Sequence, residues 1–250
     1  MYERDSRDVL NIQSEISQAI VKEVSAKLLP GEQARLAVNR RINPEAHEAY
    51  LKGSFLAERG SFTKLQTALD LFSKAIELDS DYAEAYFGYA CVVATMGGDM
   101  TQPPEVAYER SNWAINMAIA KNPNLAEAHS MLARIKAYHD YDMKGGETEF
   151  RAAVDLNPGS AGTQSGYGSF LAATGRYDDA LPYLQRAIDL NPLNQGARVY
   201  LAQTHLFYRH FDRATAILND VLALDPENVP TPGIFVQRVV HVPYGEPVVT

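Results

Sequence analysis

Cysteine is all but missing from this chain of 250 residues: Cys91 stands alone, which excludes an internal disulfide and a cysteine-based zinc site. Long apolar runs are missing too. None approaches the ~18 residues that cross a bilayer, so no membrane insertion is expected within this chain. Blocks of Lys and Arg are absent, and 23 basic against 31 acidic side chains leave a net charge of −8, which argues against nucleic acid as a partner. The amino end, Met1-Tyr2-Glu3-Arg4-Asp5, lacks the basic-then-apolar pattern of a leader. With Met1 as the native start this predicts a cytoplasmic location, the alternative being the periplasmic part of a membrane-anchored parent. At 46 % apolar and 22 % charged, the composition is that of a globular protein with a core.

Recognisable chemistry is scarce as well. No two of the six histidines stand at the i, i+4 spacing of a helical HExxH zinc site. His139-Asp140-Tyr141-Asp142 gathers one imidazole and two carboxylates and reads as a solvated turn. The glycines of "GYGSFLAATG" at 166–175 fit neither phosphate-loop spacing, and Ser169 lacks a nucleophile-elbow pattern. The expectation is therefore no catalytic residue, no metal and no cofactor: a protein that is not an enzyme.

What the chain does have is a repeat. "KGGETEFRAAVDLNP", "GRYDDALPYLQRAIDLNP" and "RHFDRATAILNDVLALDP" end at Pro158, Pro192 and Pro226, two steps of 34 residues, and Pro123 precedes Pro158 by 35. Ser80 stands where an earlier proline would sit, 36 residues after Pro44. The step from Ser80 to Pro123 is 43, which places an insertion of about nine residues around Gly97–Glu105. Within the unit that ends at Pro192, Ala180, Leu181, Leu184, Ala187 and Ile188 form one stripe of an amphipathic helix. Pro182 is expected in that helix's first turn, where its missing N–H has no partner to lose. Gly146 stands where alanine is usual, at a helix cost of about 1 kcal/mol. Its unit, with "HDYDMKGGE" at the turn, is expected to be the loosest, and Arg209 replaces a turn glycine.

Counted with proline at position 32, Gly168, Gly175, Ala180 and Ala187 fall at positions 8, 15, 20 and 27. This pattern resembles the tetratricopeptide repeat, two antiparallel helices per 34 residues with small residues at their crossing. The resemblance implies an all-α fold, a right-handed superhelical α-solenoid of helix-turn-helix units with an amino-terminal amphipathic helix. It divides the chain into residues 1–42, five units at about 43–80, 81–123, 124–158, 159–192 and 193–226, and a tail at 227–250. It further implies that the first helices line a concave groove through positions 2, 5, 9, 12 and 13. Carried over, those positions nominate Phe87 and Cys91; Glu127, Ser130, Arg134 and Tyr138; Ser165 and Ser169; and Val199, Gln203 and Phe207. The Lys and Asn with which chaperone-binding relatives clamp a peptide carboxylate are missing from positions 5 and 9. The groove is instead small and apolar, with Arg134 and Gln203 as polar handles for an extended or helical segment. Residues 42–110 hold 5 basic against 11 acidic side chains, which favours basic partners there.

At the amino end, Val9, Ile12, Ile16, Ile20, Val24 and Leu28 step by three or four along one helix face, stopped by Pro30-Gly31. A short helix over 32–41 follows. Residues 2–53 look like the junction in bacterial multidomain regulators that joins a TolB-like segment to carboxy-terminal tetratricopeptide repeats. That resemblance implies a piece of a signalling or transcriptional regulator. The 6–29 helix caps the first repeat or pairs with another copy. After Pro226, "TPGIFVQRVV" is similar to a segment of coenzyme-A transferase α subunits, without that enzyme's glycine-rich chemistry; the stretch reads as a non-repeat tail. The expected function is a non-catalytic scaffold for a protein or peptide segment. A homo-oligomerisation scaffold is the alternative, and an enzyme related through the tail alone the remote one.

Overall fold

The computed structural model describes residues 42–57, 61–98, 101–193 and 195–224. The helices expected at 6–29 and 32–41 and the tail at 227–250 lie outside the described residues. The described residues hold ten α-helices and no strand. The described residues fall into two compact units that divide between Leu125 and Ala126.

The first unit contains α1 (Pro44–Ala57), α2 (Phe62–Leu78), α3 (Ala83–Gly98) and α4 (Pro104–Lys121). α1 packs on α2 and α3 on α4; α2 and α1 also lie against α3. Phe72 sits where three of these helices meet, 2 % exposed. Glycine makes room for its ring. A Cβ at Gly88 would come within 2.5 Å of it and one at Gly53 within 3.2 Å. Burying such a ring is worth about 2–3 kcal/mol. Tyr50 packs on Phe72 and on buried Tyr82, whose hydroxyl meets His47 Nδ1 at 2.8 Å.

The second unit contains α5 (Ala126–Tyr138), α6 (Met143–Leu156), α7 (Ala161–Ala173), α8 (Tyr177–Leu190), α9 (Gln195–Phe207) and α10 (Phe211–Leu224). Consecutive helices pair as hairpins, α6 packs on α7, α8 on α9, and α7 lies against both α5 and α9. Each first helix thus meets its own partner and the neighbouring first helices, so small residues are needed at the crossings. Ala133, Ala180, Ala187, Ala202 and Ala214 are fully buried. Ser160 and Asp142 cap α7 and α6 by accepting from Thr163 N and Gly145 N.

Helix stops repeat as well. Asp79, Asn122, Asn157 and Asn191 are all C-caps at φ between −138° and −151°. A following proline drives its predecessor out of the helical region, which accounts for the three asparagines. Asp79 precedes Ser80 and adopts the same geometry, held by its carboxylate accepting from Asn43 N and Asp81 N.

The residues added around Gly97–Glu105 lengthen the helices on either side: α3 runs 16 residues and α4 18, against 13 and 14 for α5 and α6. One expectation needs correction. Pro182 is not in the first turn: α8 begins at Tyr177, so Pro182 is its sixth residue and the carbonyl of exposed Asp178 loses its helical partner. Gly146 has a packing reason. It is buried where α6 crosses α5, and a Cβ there would lie 2.8 Å from Ala137 Cβ and 3.0 Å from the Ala133 carbonyl oxygen.

Candidate functional site

First helices that lie side by side present one row of side chains per turn. In the second unit this face is built by α5, α7 and α9. Arg134 is exposed on α5, one turn before Tyr138, which is 46 % exposed. Burial of part of the ring pushes the Tyr138 phenol above the ordinary range; Arg134 opposes this, and the phenol of Tyr200, on α9, adds to it. Between α5 and α9, Ser165 and Ser169 are half-buried on α7, with the Ser165 hydroxyl donating to the Gly162 carbonyl. Ser130, half-buried on α5, closes on α7 so tightly that a Cβ at Gly166 would be 3.1 Å from its hydroxyl. Gln203 is half-buried on α9, and Phe207 at its end is 64 % exposed. The surface is aromatic at its edge, hydroxyl-lined in the middle, with the exposed Arg134 guanidinium beside Tyr138.

Two nominated residues serve elsewhere. Val199 is fully buried and faces the core, so it offers a ligand nothing. Its neighbour Tyr200, half-buried, reaches the Tyr138 side and escapes the sequence reading; the only signal for it is an aromatic one step from the nominated position. Glu127 accepts from the Asn157 side chain at 3.4 Å, a tie to the C-cap of α6. In the first unit α1 and α3 form the corresponding face, where Phe87 and Cys91 are both half-buried on α3.

The remaining polar clusters hold helices together. Glu147 on α6 accepts from Arg151, from Arg176 at 2.7 Å and from Tyr167 at 3.3 Å, and the two guanidiniums hold its carboxyl down at about 2. Burial of Glu149 works against its ionisation, but Lys136 at 2.6 Å and His129 at 2.7 Å outweigh it, and its pKa falls. Tyr177 meets His205 Nδ1 at 2.9 Å and His210 Nδ1 at 2.8 Å; burial first, then Arg213 and His210, lower the pKa of His205. His139 and Asp140 meet at 3.1 Å in an exposed turn, while Asp142 is engaged as the α6 cap. Among the described residues no three of His, Cys, Asp or Glu gather as a metal-holding group, and no helix is long and apolar enough to cross a membrane.

Two tetratricopeptide-repeat family models match the chain, one over residues 142–195 and the other over 171–231. The chain carries tetratricopeptide repeats there. Solved structures share the fold. TTC0263, a thermophilic tetratricopeptide-repeat protein of Thermus thermophilus, is 19 % identical, with 79 % of this chain and all of that chain covered at a TM-score of 0.62. PilW, a type IV pilus biogenesis factor, is 14 % identical over 77 % and 84 % of the two chains at 0.57. The human IFIT1 dimer with m7Gppp-AAAA is 15 % identical over 90 % of this chain and 50 % of that one at 0.65. At such identities these likenesses speak for an all-α helical repeat fold. No curated protein matches the chain in sequence.

Proposed function

We propose that the protein is a non-catalytic scaffold that holds a protein or peptide segment on the face of α5, α7 and α9. The observation that carries this reading is the set of exposed Arg134 and Tyr138 on α5 and half-buried Tyr200 on α9, on either side of α7, with exposed Phe207 at the end of α9. Aromatic and arginine side chains are the residues that dominate binding when a partner desolvates them, about 2 kcal/mol each on truncation, or roughly thirtyfold. The hydroxyls of Ser130, Ser165 and Ser169 with Gln203 supply the hydrogen bonds that an extended backbone needs. Phe87 and Cys91 belong to the face of α3 in the first unit.

The resemblance of residues 2–53 to a TolB-like junction supports a bacterial signalling or transcriptional regulator as the parent, acting in the cytoplasm. The sequence flanking the gene tests that context. Peptide selection on the full chain tests the site. Selected peptides should lose about thirtyfold in affinity with Arg134→Ala and with Phe207→Ala, by calorimetry, and nothing with Trp113→Ala on α4. Binders indifferent to both changes would remove the assignment. Light scattering that shows a dimer abolished by the same substitutions would make a second copy the occupant.

A further inference from the structure

We propose that the amphipathic segment of residues 9–28 folds back on α1 of its own chain and fills an apolar cleft between α1 and α2. The cleft has a volume of about 380 Å³ and is lined by Leu51, Lys52, Phe55, Leu56 and Leu71. Leu51 and Phe55, one helical turn apart on α1, are each 53 % exposed. The opposite side of α1 is in use, with Ala46, Ala49 and Gly53 buried. Lys52 sits at the rim with its ammonium held by Glu48 at 2.7 Å, so the charge stays at the edge.

The repeat itself says what such a place receives. α3, α7 and α9 each pack against the second helix of the unit before them: α2, α6 and α8. Phe72 of α2 reaches Gly88 of α3 in this way, and Phe150 of α6 reaches Gly166 of α7. In that pattern the apolar cleft of α1 is where the second helix of an earlier unit would lie. A repeat stack must cover its terminal face to stay in solution.

The chain carries a matching piece immediately upstream. Val9, Ile12, Ile16, Ile20, Val24 and Leu28 follow the spacing of one helical face. As a helix that stripe would run about 29 Å, against about 21 Å for α1. The 13 residues 29–41 between the stripe and Ile42 reach about 43 Å when extended, while Pro44 to Phe55 along α1 is only about 17 Å. Return is therefore unhindered, even with part of the connection helical. A tether of this length holds the segment at an effective concentration on the order of millimolar, far above the micromolar level at which another copy would compete. The occupant is thus the chain's own segment.

Disulfide trapping on the full chain tests this. In a Cys91→Ser background, Phe55→Cys combined with Ile16→Cys or with Ile20→Cys should form an intramolecular bond in the monomer, mapped by digestion and mass spectrometry. Trp113→Cys in place of Phe55→Cys should form none. Crosslinks found only between chains would give the cleft to a second copy, and no crosslink from either pair would overturn the proposal. Hydrogen exchange on the unmodified chain guards against misfolded variants. Amides of 9–28 should exchange at least tenfold slower than in Phe55→Asp, with α7 unchanged; equal exchange in both would overturn it.

Discussion

The two units hold their crossings with different materials. In the first, one ring does most of the joining: Phe72 lies between Gly53 and Gly88, with Tyr50 packed on it and Tyr82 packed on Tyr50. A Lys121–Asp81 contact at 2.7 Å adds an ion pair from the end of α4 to the turn before α3. In the second, shorter helices are tied by titrating groups as well: Glu147 with Arg176 and Arg151, Glu149 with Lys136 and His129, and Tyr177 with His205 and His210. Both units meet the same need for close packing, but only the second makes its cohesion depend strongly on protonation. The surface proposed to bind a segment stands on that second unit.

The largest effect should come from the ring. Phe72→Ala removes a side chain 2 % exposed, and large-to-small changes at such sites cost about 3–5 kcal/mol. Gly88→Ala should cost about 1–3 kcal/mol by pushing that ring aside. Hydrogen exchange should show both losses in α1–α4 and leave α8–α10 protected. Equal loss in both units would erase the contrast.

Next comes a gain. Pro182→Ala restores an N–H for the Asp178 carbonyl, and proline inside a helix costs about 3 kcal/mol, less 0.5–1 for the freedom alanine returns to the unfolded chain. The second unit should become more stable by about 2 kcal/mol in urea unfolding. No gain would mean that α8 has already relaxed around the ring.

Acid should separate the units. Glu147 is held at about 2 against an ordinary 4.5, so its contribution is complete above pH 4.5 and vanishes as pH falls from 4.5 toward 2. Arg176 and Arg151 are 36 % and 60 % exposed, and solvent screening leaves about 1–2 kcal/mol of this. His205, lowered by burial, adds stability that is present above pH 6.5 and declines as pH drops below it. Glu147→Gln should cost about 1–2 kcal/mol at pH 7 and flatten the acid limb in α6–α8 alone. In the first unit Lys52 also holds the Glu48 carboxyl below the ordinary value, but both side chains are more than half exposed, so that limb should be much the smaller.

These contrasts also show what a linear reading can and cannot see. The repeat is legible because crossings demand small residues at fixed spacing, and Ala180, Ala187, Ala202 and Ala214 are indeed without exposure. The start of α8 is hard to place because Arg176 forms its N-cap without a side-chain hydrogen bond, which removes the usual Ser, Asp or Asn marker. The packing role of Gly146 escapes a linear reading because helix propensity is local, while the Ala133 carbonyl that leaves no room for a Cβ comes from another helix. Of the residues where the insertion falls, Gly97 and Gly98 belong to α3, and Gly97 faces Ala107 of α4. On the proposed face, position numbers do not tell that Val199 is buried while Tyr200 keeps part of its ring exposed, since that depends on neighbours.

The smallest effect tests the turns of the second unit. Tyr141, Gly175 and Arg209 recur 34 residues apart and all have positive φ, at 57°, 88° and 62°. At the last two, the next residue's N–H bonds back five positions, Arg176 to Leu171 and His210 to His205, the six-to-one closure that ends a helix with a left-handed residue. Tyrosine and arginine adopt that conformation at a cost of about 1–2 kcal/mol, of which glycine's extra freedom in the unfolded chain takes back about 0.5–1. Arg209→Gly and Tyr141→Gly should therefore each stabilise the second unit by about 0.5 kcal/mol, a rise of about 1–2 °C in Tm. Gly175→Ala should move it the other way by about 1 kcal/mol. If both glycine substitutions lower Tm instead, the arginine and tyrosine side chains must contribute contacts worth more than the strain, and these turns would count among the unit's ties.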